Sequence, residues 1–283
     1  MPLITATRLR DARQALFGWR EQGGSVALVP TMGALHKGHT ALVEQARKMA
    51  KHTVVSIFVN PLQFAPGEDL DLYPRTFEAD LEMLADAGVD LLYAPGAAEM
   101  YPPGFAAAID PGPLGVMLEG AFRPGHFVGV ATVVVKLLLQ IMPDAALFGE
   151  KDYQQLLVVQ RVVRELDMPM HIIGVPTVRD ADGLALSSRN AYLTAQERQQ
   201  AAALPRTLSE VAQKIAAGED VEKTLHLGRQ QLAEAGFSLQ YLELADAATL
   251  NPVRSLEAPA RLLAAARIGS TRLIDNIAVG PLV

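Results

Sequence analysis

Apolar runs alternate with amphipathic stretches over the first two thirds of the chain. Five apolar runs predict buried β-strands: SVALVP (25–30), TVVSIFVN (53–60), VDLLYAP (89–95), AALFG (145–149) and HIIGVPTV (171–178). Helical periodicity predicts helices at about 38–51, 76–87, 127–142 and 153–166. Apolar strands that alternate with helices are typical of a parallel sheet covered on both faces. We therefore predict a doubly wound, Rossmann-like α/β fold.

The pattern changes after about Pro176. Thr194 and Glu197 form a Thr-x-x-Glu capping box, which predicts the start of a helical region extending to about 217, with a further helix at about 221–235. Three strand-like segments follow: LQYLELAD (239–246), ARLLAAARI (260–268) and TRLIDNIAV (271–279). Helices followed by strands are typical of a small α+β domain. We predict two domains, residues 1–176 and residues 177–283.

Composition and charge narrow the class of protein. Of the 283 residues, 50% are hydrophobic and 20% are charged, as in ordinary globular proteins. The net charge of −6, without a block of like charges, argues against nucleic acid or an anionic membrane as the main partner. The chain has no cysteine, which excludes disulfides, thiolate zinc sites and a cysteine nucleophile.

Two segments bear on where the protein resides. The first residues, MPLITATRLR, lack the apolar core of a signal peptide. The most apolar run, 127–142, carries Lys136 and is short for a membrane span, so a buried helix is the better interpretation. We expect a cytoplasmic protein with no membrane partner.

Three polar clusters follow predicted strands. PTMGALHKGH (30–39) follows the first strand, NPLQF (60–64) ends the second, and GEKDYQQ (149–155) follows the fourth. In an open α/β sheet, ligands bind outside the carboxyl ends of the strands. We therefore expect these three distant segments to converge on one cleft.

The first cluster has the chemistry of a phosphate site. Gly33 and Gly38 allow close approach of the backbone to a ligand, and a helix that begins near Gly38 offers free N–H groups. His39 in its first turn and His36 just before it can donate hydrogen bonds to phosphate oxygens. If pyrophosphate is the leaving group, stabilisation of charge matters more than acid–base chemistry.

Other interpretations of this cluster remain open. A histidine pair can be structural, and a zinc site would need a third ligand that is not evident nearby. The segment 33–40 also reads G-x-x-x-x-G-H-T, which departs from a P-loop because His39 replaces the lysine that reaches the outer phosphates.

The second cluster contributes neutral amides. Asn60 and Gln63 suit a substrate with hydroxyl and carboxylate groups, although a turn residue and a solvated glutamine are an equal alternative. Farther along, Asp80 could assist a magnesium ion, but a carboxylate on the helix surface is the simpler expectation.

The third cluster contributes a cation. Lys151 follows a strand, where it can meet phosphate, and Gln155 lies one helical turn beyond it. In RPGHF, Arg123 is a candidate anion contact and His126 a structural residue. In LSSRN, two hydroxyls and Arg189 could clamp a phosphate, or form a polar interdomain loop.

Together these segments resemble one family. PTMGALHKGH, FVNPLQF, YPRT, RPGHFVGVATVVVKL, LFGEKDYQQL and GLALSSRN resemble the bacterial pantoate–β-alanine ligase (pantothenate synthetase) family, in the right order from about Val29 to Asn190. The H-x-G-H core alone would indicate only the wider nucleotidyltransferase-like superfamily. Ala79, beside Asp80, stands where the family is sometimes acidic, so we assign no side-chain metal ligand.

The resemblance implies an activity and partners. It implies ATP-dependent condensation of (R)-pantoate with β-alanine through a pantoyl adenylate, which gives pantothenate, AMP and pyrophosphate. It also implies Mg²⁺ with the ATP, a homodimer, and a smaller second domain that closes as a lid.

The resemblance also implies roles for individual residues. His39 would be the main charge stabiliser and proton donor, with His36, Lys151 and Arg189 as further catalytic residues. Gln63 and Gln155 would hold pantoate, and Gln63 would also lie near β-alanine. The implied ATP-binding residues are Met32, Gly33, Ala34, Leu35, His36, Lys37, Gly38, His39, Gly149, Glu150, Lys151, Asp152, Val178, Leu186, Ser187, Ser188 and Arg189.

Three rival functions make different products. A nucleotidyltransferase that adenylylates a small-molecule acceptor would leave AMP on its product, whereas a ligase releases free AMP. A P-loop enzyme would release ADP and phosphate. A regulatory module that binds a nucleotide would show no turnover.

Overall fold

The computed structural model describes residues 2–65 and 67–280. The strands are β1 (Ile4–Ala6), β2 (Val26–Thr31), β3 (His52–Ile57), β4 (Leu91–Tyr93), β5 (Ala145–Gly149), β6 (His171–Val175), β7 (Ser238–Asp246), β8 (Ala260–Ile268) and β9 (Thr271–Val279). The helices are α1 (Leu9–Glu21), α2 (Lys37–Met49), α3 (Phe77–Asp86), α4 (Ala97–Met100), α5 (Glu119–Phe122), α6 (His126–Ile141), α7 (Tyr153–Glu165), α8 (Ala195–Ala201), α9 (Ala203–Ala216) and α10 (Val221–Glu234). Single 3₁₀ turns lie at Pro61–Gln63, Gly112–Gly115, Glu150–Asp152 and Ser188–Tyr192.

The chain divides into two compact units. The first comprises the described residues up to Glu150 together with Gln155–Pro176. The second comprises Lys151–Gln154 and the described residues from Thr177 onward. Lys151 therefore belongs to the second unit, although its neighbour Glu150 belongs to the first.

The first unit contains a six-stranded parallel sheet in the order β1-β4-β3-β2-β5-β6. This confirms the predicted doubly wound α/β fold. The edge strand β1, in which Thr5 pairs with Leu92, was not predicted. Its three residues, ITA, are too few to show a hydrophobic period. Strand β6 ends at Val175, earlier than predicted, because Pro176 cannot donate to the sheet.

Both faces of this sheet are covered. Ala27 and Val29 of β2 share one hydrophobic cluster with residues of α2 and α3. Val26 and Leu28 point to the opposite face and have no exposed surface. Helix α6 contacts β2 and α1, and most of its residues are buried. The prediction that this apolar segment is a buried helix is confirmed.

The strand order sets where a ligand can bind. From β2 the chain proceeds through β3 and β4 in one direction across the sheet, and then returns to β5 and β6 on the other side of β2. The carboxyl ends of β2 and β5 therefore flank the point where the order reverses, which is the usual ligand site in open α/β sheets. The three polar segments follow β3, β2 and β5, which are adjacent strands in the sheet.

The second unit contains the antiparallel sheet β7-β8-β9 and helices α8 to α10. Its core joins α9 and α10 to the sheet through residues such as Leu208, Leu225 and Leu262. The predicted capping box is confirmed, since Thr194 accepts from the N–H of Glu197 and Glu197 accepts from the N–H of Thr194. The predicted continuous helix after it is interrupted, and α8 ends before α9 begins.

None of the described helices combines the length and the apolar character that crossing a bilayer requires.

Candidate active site

The segment after β2 is a tight turn that leads into α2. Gly33 and Ala34 both have positive φ angles, 84° and 52°, and the backbone bends at Gly33. Glycine suits the first of these positions because a side chain there would be strained, and a Cβ would lie only 3.1 Å from an oxygen of Asp80. The turn leads into the helix at His36, which is the N-cap of α2.

A buried carboxylate holds this turn. Asp80 of α3 is 2% exposed, and its two oxygens accept the N–H groups of Ala34 (2.9 Å) and Leu35 (2.8 Å). The hydroxyl of Thr76 donates to it as well, at 3.1 Å. The expectation that Asp80 lies on the helix surface is therefore wrong. Helical spacing does not reveal a partner 46 residues away in the chain.

Both histidines of the H-x-G-H segment have a fixed tautomer. Nδ1 of His36 accepts the N–H of Gly38 at 3.1 Å, and Nδ1 of His39 accepts the N–H of His36 at 3.2 Å. A backbone N–H can only donate, so in each neutral ring the proton resides on Nε2. The rings lie 4.1 Å apart, with a tilt of 44°. The start of α2 therefore presents two imidazole Nε2–H donors beside a positive helix end.

The segment after β3 places Gln63 against the turn. The side chain of Asn60 donates to Oε1 of Gln63 at 3.0 Å, and Nε2 of Gln63 donates to the sulfur of Met32 at 3.1 Å. The 3₁₀ turn that carries Gln63 packs closely on α6, where a Cβ on Gly129 would lie 2.2 Å from the carbonyl oxygen of Leu62. Two of the predicted site segments, after β2 and after β3, therefore touch through Met32 and Gln63.

Arg123 and His126 support this turn. Arg123 donates to the carbonyl of Gln63 at 3.2 Å and forms two 2.7 Å bonds to Glu68. Burial opposes ionisation of Glu68, but the hydrogen bonds and charge of Arg123 outweigh it and lower the pKa of the Glu68 carboxyl. Arg123 also contacts Glu119 at 3.3 Å, so its charge is balanced by carboxylates. This geometry does not support the expected anion contact at Arg123.

His126 is structural, as its sequence context suggested. Its Nδ1 lies 2.8 Å from the carbonyl of Gln63 and its Nε2 lies 3.1 Å from Arg123. The carbonyl can only accept and the guanidinium can only donate, so the neutral ring carries its proton on Nδ1. Burial, followed by the charge of Arg123, lowers the pKa of His126 to about 4.

This pKa predicts a dependence of stability on pH. In the unfolded chain the pKa of a histidine is about 6.5, so between pH 6.5 and 4 only the unfolded state binds the proton at His126. The free energy of unfolding should therefore fall by about 2 kcal/mol between pH 7 and pH 5 on account of this residue. Urea unfolding at both pH values measures it. A His126→Gln protein should show a correspondingly smaller fall, and equal falls in the two proteins would contradict the assignment.

The segment after β5 is shared between the units. Gly149, Glu150 and Gln155 belong to the first unit, and Lys151 and Asp152 to the second. Within the second unit, Nδ2 of Asn276 donates to the carbonyl of Lys151 at 2.8 Å. The hydroxyl of Tyr153 donates to the carbonyl of Ala247 at 2.9 Å, and Arg261 stacks 4.2 Å above the Tyr153 ring. These contacts fix the backbone that carries Lys151.

The second unit also positions the LSSRN segment. The N–H of Leu186 donates to the carbonyl of Val178 at 3.0 Å, so two of the implied nucleotide contacts are neighbours. Arg179 forms a bidentate pair with the buried Asp275, at 2.7 and 2.9 Å. The Ser187 oxygen accepts the N–H of Arg189 and caps the 3₁₀ turn, which leaves its O–H able to donate.

The described side chains do not form a metal centre. In the described ranges, no three His, Asp or Glu side chains lie where they could share a metal ion. Asp80, the carboxylate considered for magnesium, already accepts three hydrogen bonds. The donor set present does not fit a side-chain magnesium site.

Several supporting residues were not predicted. Asp80 was expected elsewhere, and nothing pointed to Tyr101, Asn276 or Arg261. Each acts on a residue distant in the chain, as when the Tyr101 hydroxyl donates to Asn60 at 2.7 Å. Of these residues, only Asp80 could have been found from local sequence. It lies one helical turn after Thr76, the N-cap of α3, and side chains at that spacing can form a hydrogen bond.

Comparison with known proteins places this arrangement in a family. The sequence model of the pantoate-beta-alanine ligase family matches residues 4–278. A pantothenate synthetase from Rhizorhabdus wittichii is 58% identical over 272 residues, covering 96% of each chain. One from Rhodopseudomonas palustris BisA53 is 56% identical over 278 residues and 98% of each chain.

Solved structures of the same family are similar to this chain over nearly its whole length. The crystal structure of pantothenate synthetase from Thermus thermophilus has a TM-score of 0.94 and 49% identity, and covers 98% of this chain and 100% of that one. Pantoate-beta-alanine ligase from Francisella tularensis, complexed with beta-gamma ATP and beta-alanine, has a TM-score of 0.83 and 34% identity over 97% of each chain. The chain therefore belongs to the pantoate–β-alanine ligase family.

Proposed function

We propose that the protein uses ATP to join (R)-pantoate to β-alanine, releasing pantothenate, AMP and pyrophosphate. The observation that carries this proposal is the start of α2, where two imidazole rings with the proton on Nε2 lie beside the positive end of the helix, at the switch point of the sheet. The amide of Gln63 adjoins this turn through Met32. Such a site suits a triphosphate beside a small hydroxy acid.

The proposed reaction has two steps. A carboxylate oxygen of pantoate attacks the α-phosphorus of ATP, the bond to the bridging oxygen breaks, and pyrophosphate leaves. The amine of β-alanine then attacks the acyl carbon of the pantoyl adenylate and loses a proton, while the bond to AMP breaks. The first step is needed because a carboxylate is a poor electrophile for an amine.

The side chains have distinct proposed roles. His39 donates from Nε2 to the phosphate that gains charge as pyrophosphate leaves, and His36 assists it. Gln63 and Gln155 orient pantoate, and Gln63 also adjoins β-alanine. Lys151 and Arg189 neutralise phosphate oxygens. The remaining proposed nucleotide contacts are Met32 to Gly38, Gly149, Glu150, Asp152, Val178 and Leu186 to Ser188.

The second unit, which contains most of the predicted C-terminal domain, is proposed to act as a lid. It carries Lys151 and the Leu186–Arg189 segment, both of which the proposal assigns to phosphates. Closure over the nucleotide would keep water from the acyl adenylate, which hydrolyses readily. We also propose that the protein is a cytoplasmic homodimer. ATP would enter with Mg²⁺, which would neutralise phosphate charge.

One assay tests the proposed function. Incubation with ATP, Mg²⁺, labelled pyrophosphate and pantoate, without β-alanine, should give pantoate-dependent incorporation of label into ATP. Addition of β-alanine should release free AMP. An adenylylated product would instead indicate a nucleotidyltransferase, ADP a P-loop enzyme, and an absence of turnover a regulatory module.

The role of Lys151 can be tested in the same assay. Lys151→Ala should lower kcat/KM for ATP by about tenfold to a hundredfold, because a charge-assisted bond to phosphate is lost. The matched control is Lys48→Ala, which removes an exposed lysine from the last turn of α2 and should leave kcat/KM unchanged. Equal activity of the Lys151→Ala and parent proteins would remove Lys151 from the site.

A further inference from the structure

The orientation of the Asn60 amide is dictated by the backbone. Asn60 is 1% exposed, so each of its polar atoms needs a partner within the protein. Its Oδ1 accepts the N–H of Leu62 at 3.3 Å, and its Nδ2 donates to the carbonyl of Gly129 at 3.1 Å. In the reverse orientation, Nδ2 would face the N–H of Leu62, donor against donor, and Oδ1 would face the carbonyl of Gly129, acceptor against acceptor. The amide of Asn60 therefore has one allowed direction.

The orientation of the Asn60 amide determines that of the Gln63 amide. The second N–H of Asn60 Nδ2 donates to Oε1 of Gln63 at 3.0 Å, which turns the acceptor end of the Gln63 amide toward Asn60. The donor end, Nε2, then has the thioether of Met32 as its acceptor at 3.1 Å. A thioether sulfur is a weak acceptor. A carboxylate or hydroxyl oxygen of a substrate would replace it with a gain in hydrogen-bond strength.

The remaining lone pair of Asn60 is taken by Tyr101. The Tyr101 hydroxyl donates to Oδ1 of Asn60 at 2.7 Å, the shortest bond that the Asn60 side chain makes. The phenol ring packs edge-on against Phe58 at 5.9 Å and contacts Phe105 at 5.0 Å. Burial raises the pKa of Tyr101, so the hydroxyl keeps its proton throughout the neutral range.

We propose that Tyr101 is a positioning residue for the acid substrate, acting through Asn60 to hold the Gln63 amide with its N–H₂ group toward pantoate. The polarity of the chain Tyr101–Asn60–Gln63 directs the donor end of the Gln63 amide to this part of the site. It therefore selects substrates that present acceptor oxygens at this point. The inference rests on the proposed function and adds to it a residue that does not touch the substrate.

Substitution of Tyr101 tests the inference. Tyr101→Phe removes only the hydroxyl, and the loss of a neutral hydrogen bond should raise KM for pantoate about threefold to tenfold, with KM for ATP unchanged. The matched control is Tyr93→Phe. Tyr93 is fully buried in β4, and its hydroxyl has no partner among the residues that the structure describes. The same change there should alter neither KM.

A double-mutant cycle distinguishes positioning from general support. If Tyr101 acts through Gln63, then Tyr101→Phe should have no further effect on kcat/KM for pantoate in a Gln63→Ala protein. Additive losses, or equal increases of KM for pantoate and ATP in the single variant, would overturn the inference. If the double variant is too slow to measure, the Tyr101→Phe protein alone tests the inference, which requires a raised KM for pantoate and an unchanged KM for ATP. Failure of the proposed function would appear differently, as a parent protein without pantoate-dependent exchange.

Discussion

Replacement of His39 by asparagine is expected to lower the rate of pantoate-dependent pyrophosphate exchange by about a hundredfold to a thousandfold while the protein stays folded. The two functions of this ring are separable. Its Nδ1 accepts the N–H of His36 and so caps α2, whereas its Nε2 carries the donor proton. The Oδ1 atom of an asparagine can accept the same N–H, but the residue has no donor at the position of Nε2.

Two further variants of His39 sharpen this experiment. His39→Gln places an N–H₂ group near the Nε2 position and should recover part of the lost rate. His39→Ala lacks both groups and should also lose about 1 kcal/mol of unfolding free energy with the cap. Exchange rates and urea unfolding are measured on all three proteins. Full exchange activity in His39→Asn would show that the imidazole serves only as a helix cap.

Replacement of Asp80 by alanine is expected to weaken both folding and nucleotide binding. The carboxylate accepts the N–H groups of Ala34 and Leu35 in a buried setting, and its loss leaves both donors without a partner. The free energy of unfolding should fall by roughly 3 kcal/mol. Because Ala34 holds a positive φ of 52°, the turn should also relax, and KM for ATP should rise about tenfold.

Asp90 provides the control for this change. Its carboxylate accepts the N–H of Thr53 at 2.8 Å, near the amino ends of β3 and β4. The turn at Gly33 and Ala34 follows the carboxyl end of β2, so Asp90 lies at the opposite end of the parallel strands. Asp90→Ala should lower the free energy of unfolding but leave KM for ATP unchanged. An unchanged KM for ATP in Asp80→Ala, alongside the loss of stability, would limit Asp80 to folding.

Much of the fold could be predicted because its signals are local. Five of the six strands of the parallel sheet were recognised as apolar runs, and the capping box at Thr194 and Glu197 was recognised from spacing alone. The order of the strands was not predicted, because parallel neighbours such as β2 and β5 are far apart in the chain. Strand β1 was missed because a three-residue edge strand has no period.

The candidate site was also predicted only in part. The polar residues at the strand ends could be predicted, since His36, His39 and Gln63 lie in short segments where a strand ends. The groups from other segments that support them could not be predicted, because those bonds link residues far apart in the chain, as between Asp80 and Leu35 or Arg123 and Gln63. Burial was also misjudged at Asp80, where helical spacing alone suggested a surface position.

The sequence by itself determined the succession of strands and helices, the chemistry offered at three strand ends, and the family to which those segments point. Hydrophobic period and turn composition are properties of neighbouring residues, so they can be read without coordinates. Only the tertiary structure decided which end of an amide or an imidazole faces outward. That choice at Gln63 depends on the N–H of Leu62 and the C=O of Gly129, which become neighbours only when α6 packs beside the Pro61–Gln63 turn.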